Sequence, residues 1–166
     1  MIRLPARLAC LLVLAAPLTL DLRVRPDPNH VVASRLAGAW GADPELCERL
    51  GTKPWMERIE FTPDEGVLAQ IPAELSEFIA RERIWQAGTV RYVERGQERR
   101  GPYALLTHTG NTVAHIFRAR DGEALGDGEA CILTLVPARE RAADLLFLGG
   151  DFNNEPFRAY RRVAAR

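Results

Sequence analysis

At 166 residues, with 22 lysines and arginines against 22 aspartates and glutamates, the chain can bury one core and carries no net charge. That balance argues against nucleic acid and anionic membrane surfaces, which both select a basic face. Lys53 is the only lysine, so arginine in place of lysine reflects general usage and marks no site.

Arg3 and Arg7 precede an apolar stretch over 8–20 that is too short to span a bilayer comfortably. Residues 1–20 therefore read as a secretory signal peptide, with small residues for cleavage at Val13-x-Ala15. An uncleaved anchor and a lipid-modified Cys10 are the alternatives. Arg7 stands where a lipid-anchor motif needs an apolar residue. Removing Arg3 and Arg7 leaves an exported, slightly acidic chain, periplasmic or secreted, with no stable membrane insertion expected after cleavage. Residues 21–33, polar and carrying Pro26 and Pro28, read as a flexible tether, and 34–166 as one domain.

A first strand is expected over 35–41. Asp43-Pro44-Glu45 then supplies an N-cap, a proline at the first helical position and an acid in the first turn, predicting a short helix that carries Cys47. Alternation from Trp55 to Phe61 predicts a strand, and 67–71 its return after the turn at 62–66. Leu75, Phe78 and Ile79 sit at helical spacing within 72–85. Strands follow over 89–94, 99–108, 112–120, 130–137, 145–148 and 157–163. Arg95 to Glu98 forms one turn, and Gly110-Asn111 suits a two-residue hairpin loop. The pattern predicts a mainly β fold: an antiparallel up-and-down barrel of about eight strands with one or two short helices.

Leu36-x-Gly38-x-Trp40 near the start, up-and-down strands and an arginine-bearing last strand resemble the lipocalin-like (calycin) barrels. The resemblance implies that Trp40 packs beneath an arginine of a late strand and closes one end. Phe157, Ala159, Arg161 and Val163 share one parity, which makes Arg161 the expected partner, with Arg162 as the alternative. The helix expected at 72–85 departs from the family, whose helix comes late.

No Gly-x-Ser-x-Gly elbow, His-Glu-x-x-His, phosphate loop or dinucleotide fingerprint occurs, so no enzyme activity, cofactor or metal is assigned. The acidic stretch 121–129 lacks calcium-loop spacing. Arg95, Arg99 and Arg100 alternate with Glu94 and Glu98 as a solvated hairpin tip does. A Gly110-Asn111 loop would place His108 and His115 on one strand face with Leu106, Val113 and Phe117, a candidate ligand-lining surface if that face turns inward. Cys47 and Cys131 remain as an even pair in an oxidising compartment, predicting one disulfide.

These features suggest an exported binding protein that holds a small apolar or amphipathic ligand inside the barrel. The alternative is a module with a filled core that binds a periplasmic protein, as an enzyme inhibitor does. Inward Trp, Phe and Leu side chains favour the filled core, whereas inward Ala104, Ala114 and Ala159 would leave room. Export predicts a mature N-terminus between Ala15 and Asp21. N-terminal sequencing of the cell-derived protein that returns Met1 would contradict it.

Overall fold

The computed structural model describes residues 22–71, 83–106, 112–118, 129–139, 143–149 and 156–164. The expected signal peptide, most of the helix at 72–85, the Gly110-Asn111 loop with His108, and most of the acidic stretch lie outside them.

Eight antiparallel strands close into an up-and-down barrel: β1 (Gly38–Ala42), β2 (Arg58–Pro63), β3 (Ile84–Glu94), β4 (Gln97–Leu106), β5 (Val113–Arg118), β6 (Glu129–Val136), β7 (Leu145–Gly149) and β8 (Arg158–Val163). Each strand pairs with its sequence neighbour, and β1 closes the ring against β8. Among the described residues, three short helical elements accompany them: α1 (Val31–Arg35), α2 (Pro44–Arg49) and a 3-10 helix over Glu65–Gln70. The last replaces the strand expected over 67–71. Asp64 caps its first turn by accepting from the Gly66 N–H, and Val67, Leu68 and Ile71 then pack together on the barrel.

The pleat sorts the side chains. Trp40, Ile59, Phe61, Val90, Tyr92, Tyr103, Leu105, Ala114, Ile116, Leu133, Leu135, Leu146, Leu148 and Tyr160 form the main core, and register pairs such as Trp40 with Ile59 and Leu105 with Ile116 keep them on the inner face. Of the three alanines that could have left space, Ala114 alone belongs to this core. Ala104 lies in a second cluster beneath the 3-10 helix, and Ala159 is buried where α2 meets β8. Phe61 and Tyr103 meet edge to face at 5.2 Å.

The end of the barrel at Gly38 and Val163 is closed by the segment expected to be a tether. Val24 bridges Ile84, and the Arg83 guanidinium donates to the Arg25 and Pro26 carbonyls. His30 caps α1 by accepting from the Ala33 N–H, and its ring lies 3.6 Å from that of Trp85. Val32 and Leu36 are fully buried in the main core. The prolines stop regular structure here without stopping packing, because the apolar residues on either side still bury.

Trp40 donates its indole N–H to the Leu36 carbonyl at 2.9 Å, and the guanidinium above its ring belongs to Arg162, 4.1 Å from the centroid. This corrects the expected partner, Arg161. Trp40 and Arg162 are opposite each other in the β1–β8 register, so Arg162 shares the inner face while Arg161 points outward. Arg162 also donates to the Ala37 and Arg35 carbonyls and pairs with Asp144 at 3.3 Å. Gly38, at φ +109°, makes this possible: a Cβ there would sit 3.0 Å from Nη1 of Arg162 in a backbone conformation that L side chains resist.

The expected disulfide is absent: Cys47 and Cys131 are both buried thiols. Cys131 stands opposite Ile116 on the inner face of β6, whereas Cys47 lies on α2 outside the wall. There its Sγ accepts from the Ala159 N–H at 3.2 Å. The sheet itself separates them, so no side-chain rotation joins the two sulfurs.

Two outcomes follow. Arg162→Ala should cost about 2 kcal/mol in urea unfolding, since it removes the stack and several hydrogen bonds, while Arg161→Ala, whose side chain is 52% exposed, should cost less than about 1 kcal/mol. Equal losses would contradict the assignment. Reductant should leave the melting temperature unchanged, and thiol labelling after unfolding in denaturant should modify both Cys47 and Cys131. A melting point that falls on reduction would restore the disulfide.

Candidate functional site

Among the described residues, space inside the barrel survives at the end away from α1. β1 turns there into α2, whose N-cap Asp43 accepts from the Leu46 N–H at 3.1 Å. The other carboxylate oxygen takes Nη2 and Nε of Arg161 at 2.6 and 3.1 Å, tying the helix to β8. Thr52 continues the attachment by sharing its one hydroxyl proton between the Cys47 and Phe157 carbonyls. The chain then runs through Trp55 and Met56 before β2 begins at Arg58.

Trp55 and Met56 sit over a pocket completed by Ile59, Phe61, Val90, Ile116, Cys131 and Leu148, with a volume of about 10 Å³. That is room for about one water molecule, against the hundreds of Å³ of a drug-sized ligand site. Every lining side chain is apolar except the Cys131 thiol. Beneath the pocket the barrel is filled by Trp40, Tyr103, Tyr160, Leu105, Leu133, Leu135 and Leu146, all fully buried. Tyr103 donates to Oε1 of Gln86 at 2.7 Å, and Gln86 in turn donates to the Ala33 carbonyl of α1. Burial pushes the Tyr103 phenol well above its ordinary value, so it stays a neutral donor.

Arg158 stands beside the pocket. It opposes Leu148, one of the lining residues, in the β7–β8 register, and its guanidinium carbon lies 3.4 Å from the centroid of the Trp55 ring. Its Nε donates to the Lys53 carbonyl at 3.1 Å and Nη1 to the Pro156 carbonyl at 2.8 Å. Arg158 thus brings a guanidinium to one side of an apolar hollow.

Among the described side chains of the expected ligand surface, neither Leu106 nor Val113 belongs to the main core of the barrel. Leu106 is buried, but in the second cluster outside the barrel wall, with Val67, Leu68, Ile71, Ile84, Ala87 and Ala104. Val113 is half-buried. His115 and Phe117 occupy β5 positions opposite Leu106 and Ala104, and His108 lies outside the described residues. The inward positions of β5 are Ala114 and Ile116. Among the described residues no group of three or more His, Cys, Asp or Glu side chains is placed to hold a metal ion. The sequence signal for the observed pocket was the parity of β8, since Arg158, Tyr160 and Arg162 alternate onto one face.

Comparison with known proteins finds no matching family model, no similar curated protein and no similar solved structure.

The α2 attachment has a pH signature. Burial raises the Asp43 pKa, but the Leu46 N–H, the Arg161 bond and charge, and Arg49 together hold it below its ordinary value. A lowered folded value means that its stabilisation is complete above about pH 4, where the unfolded group is ionised, and fades as pH falls through the folded value. Asp43→Asn keeps a cap acceptor and removes the charge. The stability gap between native protein and variant should therefore narrow on acidification in a series of urea titrations. A gap independent of pH would contradict the Asp43–Arg161 linkage.

Proposed function

We propose that this chain is an exported binding protein of lipocalin-like shape that takes the apolar end of a small ligand at the α2 end of its barrel. One observation carries the reading: α1 and the Trp40–Arg162 stack close one end, while an apolar pocket remains at the other, bordered by the non-strand segment that holds Trp55 and Met56. The pocket's size sets the mode. A ligand enters shallowly, by displacing Trp55 and Met56, and is not enclosed in the middle of the barrel, which side chains fill. Burying a few methylene groups there contributes about 0.8 kcal/mol each, so a short apolar group gives modest affinity.

The filled interior also favours a second reading, a protein-interaction module that binds a periplasmic protein through its surface. Native mass spectrometry of the protein purified from its own cells separates the two. A small apolar adduct, lost in an Ile116→Phe variant that fills the pocket, is the expected result. A co-purifying protein without any adduct would overturn the first reading in favour of the second.

A further inference from the structure

Arg158 and Arg162 lie on one face of β8, and each stacks on a tryptophan. The two stacks differ in what surrounds the ring. Trp40 is fully buried and anchored through its indole N–H. Trp55 is half-buried, lies in the segment between α2 and β2, and forms one wall of the pocket. The Arg158 guanidinium carbon lies 3.4 Å from the centroid of the Trp55 ring, but its position does not depend on that ring alone. The strand register sets Arg158 opposite Leu148, and Nε and Nη1 are tied to the Lys53 and Pro156 carbonyls.

We propose that the ligand is aromatic: a small uncharged ring displaces Trp55 and takes its place between the Arg158 guanidinium and the pocket. The proposal rests on the binding reading above and names the chemical class of its ligand. Any ligand that enters by displacing Trp55 breaks the stack and bears the cost of that lost contact. Only a ligand with an aromatic face recovers it, because that face meets the cation as the indole did, whereas a saturated chain or ring offers none. The contact is made through the face of the guanidinium, so its N–H groups keep the partners they already have. On the other side of the vacated position stand Met56, Ile59, Phe61 and Leu148, an apolar lining that suits an uncharged ring. A single six-membered ring is smaller than the indole it replaces. The space that Trp55 gives up therefore accommodates it, although the pocket alone holds about 10 Å³.

Benzyl alcohol and cyclohexylmethanol separate this contact from simple burial, since they share a carbon skeleton and a hydroxyl and differ in the saturation of the ring. The saturated alcohol carries more apolar surface, so burial alone ranks it first. Calorimetric titration of the full folded protein and of Arg158→Met with both alcohols gives one affinity ratio for each protein. The ratio in favour of benzyl alcohol should be about fivefold greater in the native protein, the size of one cation–π contact at a partly exposed site. A ratio unchanged in Arg158→Met would overturn the aromatic assignment while leaving the pocket reading intact. Nitrogen–proton spectra of the native protein test the same point even if the variant fails to fold. With saturating benzyl alcohol the Arg158 Nε–H proton should keep its ring-current shift, and with cyclohexylmethanol it should lose it, while the Arg162 signal stays fixed. Loss of that shift with both alcohols would also overturn the assignment. Failure of both alcohols to bind would overturn the pocket reading and this proposal with it.

Discussion

Closure of the barrel depends on the contact between Trp40 and Arg162. The indole is fully buried, and its N–H is satisfied by the Leu36 carbonyl, so the ring can fill the end of the core without stranding a polar atom. Arg162 covers the exposed side of that ring and reaches across the β1–β8 seam, where the first and last strands of the chain must meet. A seam between residues so far apart in sequence carries a high loop-closure cost, and this is where a multidentate cation recovers it. Asp144 joins the same network from before β7, through Arg35 as well as Arg162. The tryptophan, the arginine and a glycine without a Cβ form one device.

The same device explains the asymmetry of the interior. Leu36 follows directly on α1 and supplies the acceptor for Trp40, while Gln86 and Tyr103 link the helix to the inner wall. The lower barrel is therefore a conventional close-packed core. At the other end the chain passes from α2 to β2 without regular structure, held by Thr52 and by the Arg158–Trp55 stack. Packing weakens where irregular backbone replaces a strand, and the pocket lies there.

Much of the architecture was legible because it depends on local patterns. Alternation at Ile59 and Phe61, the Asp43-Pro44 helix start and the turn around Gly96 each report on a few neighbouring residues. Arg95 and Gly96 both take positive φ, as a tight two-residue hairpin turn requires. What escaped depends on contacts between distant segments. The face of β8 follows from its register with β1, and a single step of parity exchanged Arg161 for Arg162. The buried alanines Ala104 and Ala159 looked suited to a hollow interior, but a second layer of structure covers the outside of the wall above both. The same covering displaced Leu106 from the expected ligand surface. Composition suggested joining Cys47 to Cys131, although the sheet stands between them. The two-proline segment before the barrel was read as a tether because burial of His30 and Val32 is a tertiary event that no local signal announces.

The central claim is that the molecule is sealed at the Trp40 end and receptive at the Trp55 end. Three tryptophans give three indole N–H signals, one at each of Trp40, Trp55 and Trp85. Two-dimensional nitrogen–proton spectra during titration with a short amphiphile therefore report the site of binding directly. The account predicts a progressive shift of the Trp55 signal, while those of Trp40 and Trp85 stay fixed. Movement of the Trp40 signal with an unchanged Trp55 would place binding at the end described here as closed, and would contradict it.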